Sequence, residues 1–337
     1  MLRFVGKIAV ASLFALLLAG CKGREKATIT KLPVTLRLSE VHAKGYPTAM
    51  ADEEFARIVE ENTQGRVKIE VRTGGALAEN EIDAIEALKY GDLAFARVSA
   101  SPVASYVPKL NAIQMPYLYR SSSHMWNVLN SSIGQGLLED IERAGIGLIG
   151  LCFYDAGSRN FYSTKPIYSV SDMEGLKIRV QSNQMMIDMC SALGAEGVVG
   201  IGMAGVRSAI ANGVVDAAEN NWPTYQNSGD YTVAPYYIVD QHTRVPEILL
   251  ASKKALERVS DADMEIIKQA AKQTQEFEIE KWKEKEQSAE QIVKANGNTV
   301  IELSSSAFAE FQSAMQPLYD TYGKGYESLI NEIRTTN

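Results

Sequence analysis

Residues 34–39 read Val-Thr-Leu-Arg-Leu-Ser, an alternation of apolar and polar positions that predicts a strand with two unlike faces. A loop from Glu40 to Pro47 leads into a helix whose Met50, Phe55, Ile58 and Val59 share one face and which closes at Thr63-Gln64-Gly65-Arg66. A strand at 67–71, a glycine turn at Gly74-Gly75, a helix over about 80–89 and a strand at 93–98 follow. The pattern returns through residues 140–157 and 176–220, and strands alternating with short helices predict an α/β protein. The last third changes character. A long charged helix is predicted over 260–294, its 280–290 charge run a solvated face laced by i,i+4 pairs. A short strand at 299–303 and one amphipathic helix over 307–333 complete the pattern.

One strand is unusual. In Leu176-Lys177-Ile178-Arg179-Val180-Gln181 an apolar face alternates with a polar face that carries Arg179. A second apolar run at 213–217 ends in Ala218-Glu219-Asn220-Asn221-Trp222-Pro223. Ligands of open α/β sheets bind outside the carboxyl ends of strands, where these polar clusters fall. A guanidinium is a planar fork that pairs bidentately with a carboxylate, so the pattern points to capture of an organic acid. Pairing of Arg179 with Glu219 or Asp216 is the competing structural reading.

The N-terminus bears on the compartment. Arg3 and Lys7 precede an apolar run from Ile8 to Leu18, and Leu18-Ala19-Gly20-Cys21 follows. These are signal-peptide flanks, and the small residues before Cys21 resemble a lipobox, in which the cysteine is lipidated. The expected product is residues 21–337, exported to the periplasm or the outer face of the cytoplasmic membrane. Residues 21–33 would form a tether to the lipid anchor. Removing residues 1–20 deletes two cations and no acid, taking the formal charge from −7 to −9. That argues against nucleic acid as a partner, since phosphate binding needs a basic face. Cys152 and Cys190 lie in apolar runs and read as core, with a disulfide between them left open. No Cys/His spacing suggests a metal, and nothing calls for a cofactor.

In this order the landmarks resemble the substrate-binding protein of tripartite ATP-independent periplasmic (TRAP) transporters. The resemblance rests on Gly175 to Val180, Asn111 to Arg120, Phe153 to Arg159 and Gly213 to Asn220, and it runs from about Val34 to Glu280. It implies a two-domain fold of the type II periplasmic-binding-protein kind, with a cleft between lobes and a long helix crossing both. Lobe I would hold 34–156 plus 246–285, and lobe II 157–245 plus 286–337. By the same resemblance Arg179 salt-bridges the ligand carboxylate, Asn220 partners it, and Arg159 is a second arginine at the ligand. Glu40 to Thr48, Ala96 to Ser99 and Asn220 to Pro223 resemble the branch that binds sugar acids, chiefly hexuronates. His42, Glu79, Arg97 and His242 would then serve ring hydroxyls, and Trp222 an apolar ring face or a packing role. The text at 194–204 departs from the family's proline-rich pattern, so the loop beneath the ligand is expected to differ. The implied partners are an organic acid and the TRAP membrane subunits, with the chain a monomer. A C4-dicarboxylate or keto-acid ligand, and a sensory lipoprotein that transports nothing, are the alternatives.

An enzyme is not expected. Gly145-Ile146-Gly147-Leu148-Ile149-Gly150 matches GxGxxG, but its glycines follow a helix and lie on a strand, the reverse of a dinucleotide turn. Asp52-Glu53-Glu54 reads as a solvated helix face, His124 as a structural residue at a helix start, and Met185, Met186 and Met189 as core.

Overall fold

A computed structural model describes residues 33–337, so the expected leader, the tether up to residue 32 and Cys21 lie outside the described residues. Among these described residues eleven strands form two sheets: β1 Val34–Ser39, β2 Val67–Arg72, β3 Phe95–Ser99, β4 Leu148–Tyr154, β5 Arg159–Ser163, β6 Lys177–Arg179, β7 Glu196–Val198, β8 Ala217–Asn220, β9 Tyr236–Thr243, β10 Glu247–Ser252 and β11 Thr299–Glu302. The first sheet runs β2-β1-β3-β10-β4, with β1, β2 and β3 parallel and β10 antiparallel to both its neighbours. The second runs β11-β9-β5-β8-β6-β7 and reverses direction on each side of β5. The chain passes from one sheet to the other between β4 and β5 and again between β9 and β10. The expected two-lobed α/β architecture is present.

The helix Pro47–Asn62 buries Phe55, Ile58 and Val59 against the first sheet. The helix Asp261–Ala295, capped by the Ser260 side chain on the Asp263 N–H, buries Ile267, Ala270 and Ala271 in the same cluster. Farther along, Ala289 and Val293 enter a cluster of the second sheet, so this helix packs on both lobes.

Three expectations change. The single helix over 307–333 is instead Ser305–Ala314, Gln316–Tyr322 and Glu327–Thr335. Pro317 cannot donate to a preceding turn, and Gly325 at φ 85° makes a left-handed turn between the second and third segments. The apolar run 213–217 is mostly turn, and the strand is the polar cluster itself, Ala217–Asn220, with Glu219 fully buried. Asp52 is not solvated: it shares a face with Phe55, is fully buried, and lies 3.4 Å from the Tyr154 hydroxyl. Burial pushes its carboxyl well above the usual range, with Glu40 adding to the effect. Cys152 and Cys190 are buried free thiols, and Met185, Met186 and Met189 are core.

Candidate functional site

A cavity of about 300 Å³ lies between the sheets. From the first come Val41 and His42 after β1, residues 79–83, Arg97 of β3 and Glu247 of β10. From the second come Arg159 of β5, Arg179 of β6, residues 200–203, Asn220 and Asn221 at the end of β8, and Thr224. Hydrogen bonds join the two walls: Tyr46 Oη to Thr224 Oγ1 at 2.9 Å, Gln181 Nε2 to Ser99 Oγ at 2.8 Å, and Asn183 Nδ2 to the Ser101 carbonyl at 2.8 Å. The lobes are closed on each other.

Three guanidiniums reach the cavity, and their pairing differs. Arg97, 1% exposed, donates to Glu40 at 3.0 Å and, through Nη1, to Glu81 and Glu247 at 2.6 Å each. The His42 ring sits 2.8 Å from its Nη2. Three acids around one arginine leave a surplus of negative charge. Burial, reinforced by Glu81 and Glu40 and only partly opposed by Arg97, lifts the Glu247 carboxyl to about 7. Arg159 is held by both carboxylate oxygens of Glu219 and by the Glu219 carbonyl at 2.8 Å. Its Nη1 donates to Asn220 Oδ1 at 3.2 Å. Arg179 is different. Its Nε donates to the Ile201 carbonyl at 3.0 Å, and among the described residues no carboxylate pairs with it. Burial therefore lowers its pKa, a direct sign of a cation desolvated without an anion.

The structure brings Arg179, Asn220, Arg159, Arg97, His42 and Glu79 to one cavity, and keeps two of the expected residues off its lining. His242 is 1% exposed, stacked on Phe161 with ring centroids 4.3 Å apart, and lies behind Arg159's partner Glu219. Trp222 stacks on Tyr237 at 3.7 Å inside an aromatic cluster with Tyr162 and Tyr225. Both pack instead of lining. Glu81, Glu247, Gln181, Asn221 and Thr224 line the cavity without having been singled out. Glu247 carried a readable signal: it is the one acid in Val245-Pro246-Glu247-Ile248-Leu249-Leu250, and a lone acid on a buried strand needs a cation. The loop expected to differ lies on the wall as Gly200 to Met203.

His242 has a separate consequence. Burial alone would lower its pKa, but Asp240 at 2.8 Å and Glu219 at 3.5 Å raise it to about 9 from 6.5. Against the same burial, Arg159 and His242 hold Glu219 down at about 2. A raised histidine contributes its stability in full below the unfolded value of 6.5, and loses it as pH climbs through 9. The contribution is on the order of 3 kcal/mol. The melting temperature should fall from pH 6.5 to 9, and His242→Gln should flatten that slope while lowering stability at pH 6.5. An unaltered slope in the variant would assign the titration elsewhere.

Residues 38–325 match the family model described as bacterial extracellular solute-binding protein, family 7, DctP. A solute-binding protein of Chromohalobacter salexigens is 32% identical over 298 residues, 87% of each chain. Among solved structures, a TRAP periplasmic solute binding protein from Bradyrhizobium sp. BTAi1, in complex with α/β-D-galacturonate, superposes with a TM-score of 0.86 at 35% identity. The match covers 90% of this chain and all of that one. One from Pseudomonas putida F1 with bound D-glucuronate has a TM-score of 0.86 at 31% identity, over 89% of this chain and 97% of that one.

Proposed function

This chain belongs to the DctP family of bacterial extracellular solute-binding proteins, and from that membership we propose that it captures a hexuronate such as glucuronate or galacturonate, with Arg179 gripping the carboxylate. The family supplies ligands to TRAP transporter membrane subunits and is not enzymatic. Among the described residues no helix is long and apolar enough to cross a membrane. We extend the reading to a lipid anchor at Cys21, a monomer, and lobes bounded at 156/157, 245/246 and 285/286.

The observation that carries the proposal is the charge pairing. Of three cavity guanidiniums, only Arg179 lacks a carboxylate among the described residues. A ligand carboxylate completes it, and Asn220, whose Oδ1 is engaged by Arg159 and the Asn221 N–H, has its amide nitrogen left to donate. The acid surplus around Arg97 suits hydroxyl donors of a sugar ring. A dicarboxylate would need a second free cation and would meet Glu81 and Glu247 instead. The volume of about 300 Å³ suits a single small ring. The uronates bound by the two structural relatives fit the same chemistry.

Thermal shift of the protein against uronates, neutral hexoses, C4-dicarboxylates and keto acids tests the reading. At 100 times its Kd a ligand adds about 2.7 kcal/mol of stability. A shift with uronates and none with neutral sugars is expected. A shift with dicarboxylates alone would overturn the uronate.

Closure supplies a further prediction. A ligand that touches both walls shifts the population toward the closed form by its differential affinity. Tyr46 donates or accepts across the mouth to Thr224, so Tyr46→Phe removes a net contribution of about 1 kcal/mol from the closed state alone. Calorimetric titration should show roughly fivefold weaker uronate binding with the stoichiometry unchanged. An unchanged Kd would mean that this hydrogen bond is also made in the open form.

A further inference from the structure

A second cavity, of about 350 Å³, lies beside the β9-to-β10 crossing and shares no lining residue with the first. Its walls are the loop 117–120, the end of β9 with Gln241 and Arg244, and Phe308 and Gln312 of the helix Ser305–Ala314. Three features set it apart. Arg244 is half-buried and, among the described residues, has no carboxylate within ion-pair reach; its one contact is Gln241 Oε1 at 3.4 Å. The other cation on the wall, Arg120, is occupied by the carbonyls of Arg334 and Thr336. Tyr117 and Gln241 hold φ angles of 55° and 46°, so two of the three non-glycine residues in the left-handed region among the described residues frame this cavity. The third, Gln64, simply ends a helix.

Each of these residues donates its backbone N–H, Tyr117 to the His242 carbonyl at 2.9 Å and Gln241 to the side-chain Oδ1 of Asn160 at 2.9 Å. Such conformations persist where the surroundings demand them. Both residues line the cavity together with Arg244. The Phe308 ring meets Tyr117 edge-on at 5.4 Å and makes one wall aromatic. The Tyr117 hydroxyl is buried near Asp240 without a hydrogen bond of ordinary geometry. Burial lowers the Arg244 pKa, and Asp155 and Glu286 only partly offset it.

We propose that this cavity is a second binding site, for a small organic carboxylate, with Arg244 taking the carboxylate, the Gln241 and Gln312 amides beside it, and Phe308 and Tyr117 holding the body. It stands independently of what the cleft between the sheets binds. An occupant would touch loop 117–120 on one side of the crossing and the helix Ser305–Ala314 on the other.

The test is NMR titration of Arg179→Ala, whose cleft lacks its free cation, with acetate, benzoate and citrate in turn. Saturable shifts of the Tyr117 and Phe308 signals with at least one of them are expected. Adding Arg244→Gln should weaken that response at least tenfold. Gln312→Glu, a change at an exposed helix position, should weaken it too by placing an anion at the mouth, and it serves should Arg244→Gln fail to fold. No shift at Tyr117 and Phe308 with any of the three acids would overturn the site. So would a response that both substitutions leave intact.

Discussion

Arg179→Ala should abolish uronate binding while leaving the free protein as stable as its parent. The guanidinium contributes two charge-assisted hydrogen bonds of roughly 1.5–3 kcal/mol each, and without it the ligand carboxylate is shut in a closed cavity unpaired. Breaking one side of a buried charge pair costs about 3–5 kcal/mol, or a factor of roughly a hundred to several thousand in Kd. The free protein loses only the Nε bond to the Ile201 carbonyl and is relieved of a desolvated cation. Its melting temperature should therefore stay level or rise. Arg179→Lys keeps the charge without the fork and should fall between the two. Binding within tenfold of the parent in Arg179→Ala would end the carboxylate assignment.

Arg97→Ala should act in the opposite way, on the fold before the ligand. Glu40, Glu81 and Glu247 would lose their shared cation, with Glu40 fully buried and Glu247 only 6% exposed. About 3–5 kcal/mol is at stake, a large part of the 5–15 kcal/mol of an ordinary domain. In the parent, burial works to raise Glu40, but Arg97 and His42 win and hold it far below the usual range. A depressed acid contributes stability above its unfolded value of 4.5 and loses it as pH falls through the folded one. Without Arg97 the sign reverses, because the orphaned carboxyls sit above their unfolded values. Acidification from neutrality toward pH 5 should then restore part of the lost melting temperature, more steeply than in the parent. A variant that melts with the parent at neutral pH would show that the network contributes nothing.

The two arginines were equally visible in the sequence, each a cation on a strand with an apolar face. What distinguishes them is not visible there. Arg97's partners stand at positions 40, 81 and 247, and β3 meets the last of these only because β10 comes back antiparallel beside it. Local patterns report the strand and its charged face, whereas pairing depends on contacts distant in the chain. The same limit explains Trp222 and His242. A tryptophan beside Pro223 suits a ring platform as well as a core stack, and only its approach to Tyr237 decides. Asp52 read as solvated because Glu53 and Glu54 beside it are partly or fully exposed, and the helix turns Asp52 alone inward. The long helix and its Ser260 cap were legible because caps and charge periodicity are local. The break at Pro317 was equally local and was overridden by the amphipathic pattern on either side of it.

The helix Asp261–Ala295 is 35 residues long, a rod of about 52 Å. Its middle is interlocked with the β4-to-β5 crossing: Glu278 accepts the Asp155 N–H at 2.6 Å. Gly157, at φ 60°, packs against this helix: a Cβ there would crowd the Glu286 carboxylate and stand 3.0 Å from Trp282. Trp282 meets Tyr46 edge-on at 6.0 Å, and Tyr46 lies flat on His42 of the cavity wall at 3.9 Å. Two rings thus separate the ligand from the rod. The ring pair and the Glu278 bond tie the cavity wall and the chain crossing to the middle of one continuous helix that packs on both lobes.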